Sequence, residues 1–193
     1  MNIIWHGHSC FEITGKDGTI VFDPYQANSV PGLNSLKLKA NLVLCSHEHD
    51  DHNARNCVEV APKDFKVTCI ETYHDHHQGS HRGKNTIHIV DFEDLKVVHM
   101  GDIGCMMDDV SKLKNCDVLM IPIGGYYTID TKEALKYIER IQPRIVIPMH
   151  YCSHEFGYDV LSTNEGFIQK SSNIVYVDDY LEVHKETKGR TIV

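Results

Sequence analysis

The chain has no C-x-x-C pair, no cluster of basic residues and no apolar run long enough to span a bilayer, and each absence removes a class of function. Its seven cysteines (Cys10, Cys45, Cys57, Cys69, Cys105, Cys116 and Cys152) are odd in number and scattered, which argues against a disulfide framework or a cysteine zinc site. Those within apolar runs, Cys45 in "LVLC" and Cys69 in "VTCI", read as small buried hydrophobes. Nineteen Lys and Arg against 27 Asp and Glu leave a net charge of −8, so no nucleic acid partner is expected, because phosphate binding needs clustered cations. A small-molecule substrate, neutral or with its charge neutralised by a metal, fits better. No stretch approaches the ~20 apolar residues of a membrane span, and "MNIIWHGHSCF" lacks the basic and apolar regions of a secretory signal. A cytoplasmic protein without a membrane partner is therefore expected, with homo-oligomerisation left open. With only 6 prolines, 13 glycines and no repeat or linker, the 193 residues read as a single domain, 1–193.

The short runs "NIIWH", "CFEIT" and "TIVFD", the last two split by the turn "GKDG", predict a β-meander. Beyond it, "NLVLC", "KVTCI", "NTIHIV", "LKVVHM", "DVLMIPI" and "RIVIPM" predict strands rich in Val and Ile. The clearest helix begins at Asp130, which with Glu133 forms a capping-box pattern; Ala134, Ile138 and Ile141 follow at helical spacing until Pro143 stops it. Further helices are expected within "MMDDVSKLKNC", after the histidine cluster and near "TNEGFIQKS". Interleaved strands and helices imply a layered α/β sandwich.

The chemistry is concentrated in "LVLCSHEHDDHN", where His47, His49, Asp51 and His52 follow an apolar run. On a loop leaving a strand, residues two apart can point the same way. His47 and His49 can then hold one cation while Asp51 and His52 turn toward a second. Imidazole and carboxylate are ligands that Zn²⁺ takes in hydrolytic sites, and two metals a few ångströms apart can share a water as a bridging hydroxide. A lone histidine at a strand end is ordinarily just hydrogen-bonded, but three with an acid in six residues are costly to bury without a compensating partner. Further strands end on His74, Asp102 and His150, the convergence that a site built on strand-end loops requires.

The H-x-H-x-D-H motif, followed by a lone histidine, an aspartate after glycine and a histidine after a strand, resembles the metallo-β-lactamase-fold hydrolase superfamily. "WHGHSCFEI", "TIVFDP", "GKNTIHIV", "HMGDIG", "IPIGGYYTID" and "IPMHY" are similar to its small UlaG-like lactonase branch, from Trp5 to Tyr151. The resemblance implies a four-layer αβ/βα sandwich with the site along one edge of two facing sheets. It also implies a division of ligands: His47, His49 and His74 on one metal, Asp51, His52 and His150 on the other, and Asp102 between them. His76 is the alternative to His74. Redox di-iron members carry Glu where His49 stands, so the imidazole points to two Zn²⁺ ions and hydrolysis, with manganese and iron left open.

The implied activity is metal-dependent hydrolysis of a small ester, lactone or phosphodiester, with Asp51 orienting the nucleophile or shuttling its proton. A nuclease fits less well, because no basic-aromatic stripe is present. A non-catalytic metal-binding scaffold is the alternative outside enzymes. Ser46 and Cys10 read as structural. Asp23 either caps a loop or supports the ligand loop, and His8 either approaches the site or steadies the first hairpin. Arg82 and Lys84 either hold an anionic group or are solvated, and Tyr127 either lines the pocket or packs.

Overall fold

The computed structural model describes residues 1–192. The meander forms as the alternation predicts, with β1 (Asn2–Gly7), β2 (Cys10–Gly15) and β3 (Gly18–Phe22) antiparallel. The register sets Phe11 opposite Phe22 and Ile13 opposite Ile20, so the inward residues of neighbouring strands meet as cross-strand pairs. The chain then passes β4 (Leu38–Ala40) and returns as β5 (Leu42–Leu44), parallel to β3; β4 pairs instead with β6 (Val58–Val60).

A second sheet starts with β7 (Lys66–Tyr73), β8 (Lys84–Phe92) and β9 (Leu95–His99), all antiparallel. It continues with β10 (Val118–Pro122), α1 (Thr131–Ile141) and β11 (Ile145–Met149), with β9, β10 and β11 mutually parallel. After α2 (Glu165–Ile168) come β12 (Ile174–Val175), β13 (Tyr180–Glu182) and β14 (Arg190–Ile192). The sheet orders are β13-β1-β2-β3-β5 and β12-β14-β11-β10-β9-β8-β7.

Every residue of β10 and β11 is buried, which explains their unbroken apolar sequences: parallel strands covered on both faces have no polar side to present. Val97, Val118 and Met120 face the core between the sheets with Ile13, Ile20 and Phe22, while Val98, Leu119 and Ile121 face Ala134, Tyr137 and Ile141 of α1. On the outer face of the smaller sheet, Cys10 and Val21 lie beneath Tyr25 and Val30, with Ala40 and Val58 of the β4–β6 pair. The α/β sandwich is thus layered as expected. The layer over the smaller sheet, however, is a loop and a two-stranded sheet rather than helices.

The helix at Asp130 forms with both halves of its capping box and ends at Gln142, left-handed at φ 54°, before Pro143. Two other expected helices shrink to single 3₁₀ turns, Arg55–Cys57 and Ser111–Leu113. At the second, Asp109 takes the Ser111 N–H and hydroxyl, a local bond that competes with helix propagation. Cys69 is exposed on the edge strand β7 and Cys45 is half-buried, so neither is the fully buried hydrophobe its apolar run suggested. All seven cysteines are free. Among the described residues no helix is long and apolar enough to cross a membrane.

Candidate metal centre

The site is built where strands stop. His8 follows β1, Asp23 follows β3, the 47–52 segment follows β5, His74 follows β7, Asp102 lies just past β9 and His150 follows β11. Three of these residues turn left-handed as the strand ends: His8 at φ 54°, Asp23 at φ 43° and His150 at φ 54°. Each is a conformation non-glycine residues seldom adopt, and together they aim the side chains off the sheet edges into one space. The His150 N–H reaches the His8 carbonyl at 3.3 Å, tying the ends of β11 and β1 together. Buried Asn85 holds the β9 loop, accepting from the Asp102 N–H at 2.8 Å and donating to the Met100 carbonyl at 2.9 Å. Gly104 packs against the backbone at His74 and Gly124 against the His150 carbonyl, approaches that leave no room for a Cβ.

Asp23 organises the histidines from beneath. One oxygen accepts the Ser46 N–H at 2.6 Å; the other accepts the Ser46 hydroxyl at 2.7 Å and His52 Nδ1 at 2.9 Å. An ionised carboxylate only accepts, so the proton on His52 is at Nδ1 and its Nε2 faces the cluster. Ser46 has spent its one hydrogen on Asp23, so at 2.9 Å it accepts from His47 Nδ1, and His47 Nε2 likewise faces the cluster. One buried carboxylate therefore sets two histidines, the second through a serine.

The donors gather into linked groups. His47, His49 and His74 form one; His8, Asp51, His52 and His150 form another; within each, ligand atoms lie within 4.8 Å of one another. His47, His52 and Asp102 form a third group that joins them. Oδ2 of Asp102 is approached by Nε2 of His150 at 2.9 Å, His52 at 3.2 Å and His74 at 3.5 Å. His47 Nε2, His52 Nε2 and Asp102 Oδ1 are buried without a hydrogen-bond partner, and unpaired polar atoms of this kind are expensive unless a cation takes their lone pairs.

The electrostatics make the same demand. Burial drives the carboxyls of Asp23, Asp51 and Asp102 upward, yet neighbouring imidazoles, His52 for the first two and His150 for Asp102, outweigh it and hold all three well below the usual carboxylate range. Burial also lowers His47 to about 3 and His8 to about 4, and it lowers His74, so these imidazoles stay neutral and able to ligate. For His52 burial is overcome by Asp102, Asp51 and Asp23, and its pKa rises well above the ordinary histidine value, so without an ion Nε2 holds a second proton, the one a cation would displace. Three buried anions against one histidine driven positive leave a surplus of negative charge that divalent cations would balance.

All seven candidates (His47, His49, Asp51, His52, His74, Asp102 and His150) converge here. His76 does not: its ring is exposed, with Nε2 3.7 Å from Glu133. Asp23 supports the ligand loop rather than merely capping one, and Ser46 belongs to the relay. His8 enters the site fully buried, its Nε2 3.3 Å from Asp51 Oδ2. Sequence reasoning did not single out Tyr158, whose hydroxyl lies 3.3 Å from Asp51 Oδ2 and 2.7 Å from the Ser29 carbonyl. Its segment is 107 residues from Asp51, and nothing local marks it.

Two facing sheets with histidines and aspartates converging on one edge define the metal-dependent hydrolases of the metallo-β-lactamase fold. The profile of the Beta-lactamase superfamily domain matches residues 2–150. A "UPF0173 metal-dependent hydrolase" of Staphylothermus marinus is 31% identical over 192 residues, covering 75% of this chain and 81% of that protein. Another of that name from Thermoplasma acidophilum is 29% identical over 189 residues, covering 78% and 83%. A crystal structure from Thermotoga maritima, described as a candidate Zn-dependent hydrolase of the metallo-beta-lactamase superfamily, matches with a TM-score of 0.79 at 27% identity over 99% of this chain and 96% of that one. The chain belongs to the beta-lactamase superfamily and, with these relatives, to its metal-dependent hydrolases.

Proposed function

We propose that the protein is a dinuclear zinc hydrolase of small esters, lactones or phosphodiesters. His47, His49 and His74 would hold one ion, Asp51, His52 and His150 the other, with Asp102 shared. The observation that carries this reading is Asp102 Oδ2, within 3.5 Å of Nε2 atoms from three separate segments, with Oδ1 buried and unpartnered beside it. Zinc is favoured by the imidazole at His49 and by a donor set of nitrogen and carboxylate without thiolate. The "Zn-dependent" description of the Thermotoga maritima relative points the same way.

When bound, such ions acidify a water and polarise the carbonyl or phosphoryl group under attack. The chain's own groups do the rest. Asp51, its Oδ2 facing His8 and Tyr158, keeps its other oxygen free to accept a hydrogen bond from a water and orient it. Asp23 and Ser46 keep the histidines in the ligating tautomer. Beside His47 and His49 opens a cleft of about 510 Å³, the size of a small-metabolite site.

The test is elemental analysis of untagged protein purified without chelator, followed by a screen of esters, lactones and phosphodiesters. About two zinc ions per chain are expected for a site of this type. One ion or none after reconstitution would sink the dinuclear reading, and iron would reopen redox chemistry.

A further inference from the structure

The cleft beside His47 and His49 is also lined by Glu48, Glu71, Arg82 and Lys84. Three of these four charges are already matched within the protein: Glu48 pairs with Arg55 at 2.8 Å, and Glu71 pairs with Lys84 at 2.9 Å. Arg82 is the exception. Its backbone N–H donates to Asp75 at 2.8 Å, but among the described residues its guanidinium has no carboxylate and no hydrogen-bond acceptor. It lies instead over two aromatic faces, 5.3 Å from the Tyr127 ring and 5.9 Å from the Tyr126 ring.

That placement is specific. In a chain of net charge −8, a half-buried arginine next to several acids has nonetheless been kept off all of them. A guanidinium held over aromatic rings by cation–π attraction leaves its N–H groups uncommitted, and its fork can offer two donors to an incoming anion. The platform also leads back to the metal centre. Tyr127 packs edge-on against Tyr158 at 5.9 Å, and the Tyr158 hydroxyl lies 3.3 Å from Asp51 Oδ2. Asp75 holds the loop rigid by accepting the N–H groups of His77, Gly79, His81 and Arg82, and it directly follows His74. Arg82 and a candidate metal ligand therefore share one braced loop.

We infer that Arg82, held over the Tyr127 ring, is a substrate-anion subsite: the substrate carries a carboxylate or phosphate group remote from the bond that is cleaved. The inference rests on the hydrolase reading for what happens at the other end of the substrate. Arg82 takes no part in bond breaking; it sets which molecules are held, and in which direction.

The test uses protein as purified, with its metal content assayed. Calorimetric titrations compare acetate with the dicarboxylates from malonate to adipate and with phosphonocarboxylates of matching length. Acetate reaches the metal centre alone, whereas a two-headed anion of the right length also reaches Arg82. One chain length is expected to bind about tenfold more tightly than acetate, the gain of a charge-assisted pair in a half-exposed site. Arg82→Gln should remove that gain and leave acetate binding unchanged. Arg82→Lys should keep part of it, and Lys84→Gln all of it. A preference for the phosphonate or the carboxylate series tells the two anion chemistries apart. If no two-headed anion exceeds acetate, or if the gain survives in Arg82→Gln, the inference is overturned. In metal-loaded samples, an Arg82-dependent gain without turnover on any ester would overturn the hydrolase reading instead, because the titrations read the anion site independently of turnover.

Discussion

Replacing Asp23 by Asn changes one atom and should disable the site from behind. The amide oxygen can still accept the Ser46 N–H that the carboxylate takes at 2.6 Å, and the flipped amide would set two donors against each other there, so the orientation is fixed. The new NH₂ then occupies the position that now accepts from the Ser46 hydroxyl and His52 Nδ1. His52 must turn from donor to acceptor at Nδ1, moving its proton to Nε2. Ser46, now accepting from the amide, donates its hydrogen to His47 Nδ1 and sends that proton to Nε2 as well. Both nitrogens that could offer a lone pair to an ion would instead face the cluster with hydrogens the tautomer cannot give up.

Replacing the buried charge-assisted bond to His52 costs about 1–3 kcal/mol of stability. Loss of a group that orients ligands weakens metal binding by about 10–100-fold. Competition with a chromogenic chelator reads the affinity, and urea unfolding of metal-free protein reads the stability. Ser46→Ala should weaken only the ion near His47, because His52 still donates to Asp23. Asp23→Asn protein that binds both ions with full affinity would refute the relay.

Asp102→Asn and His47→Ala are each expected to lose metal while keeping the far-ultraviolet circular dichroism of the parent; full metal content in both would mean the centre is elsewhere. His88 is buried, and its pKa is lowered to about 4 by burial, with Asp23 opposing and His99 reinforcing. Below pH 6.5 the unfolded chain therefore binds a proton that the folded chain refuses, and stability is lost as pH falls toward 4. In metal-free protein, His88→Leu should remove about 2 kcal/mol of the difference in unfolding free energy between pH 7 and pH 4.5. An unchanged pH slope would show that His88 is not part of the acid sensitivity. Asp130→Ala, which deletes the cap of α1, should cost about 1 kcal/mol in thermal or urea unfolding, with metal content untouched.

Much of the molecule was legible because its signals are local. The period-two runs gave the meander, the apolar runs gave strands β7 to β11, and Asp130 with Glu133 marked the start of α1. The cluster at 47–52 announced itself by density, and His74, Asp102 and His150 by their position after strands. The helix expected at 106–116 reduced to a single turn where the Asp109 side chain takes the Ser111 N–H and hydroxyl, which pattern alone does not weigh, and the one expected after the cluster reduced to the Arg55–Cys57 turn. His8, Ser46 and Tyr158 were obscure for a different reason. Their roles exist only once β1, β5 and the 151–163 segment have been brought together, and a serine bonded to an aspartate 23 residues earlier has no signature of its own.

The left-handed turns at His8, Asp23 and His150 have a consequence for how such a chain can change over generations. Each side chain is aimed by the single residue at which its strand stops, not by the loop beyond it. Insertions, deletions and altered composition beyond those three turns can therefore remodel the surrounding segments while His8, Asp23 and His150 stay where they are. The sandwich is in that sense a chassis: its reactive edge can hold still while the segments that hang from it are edited.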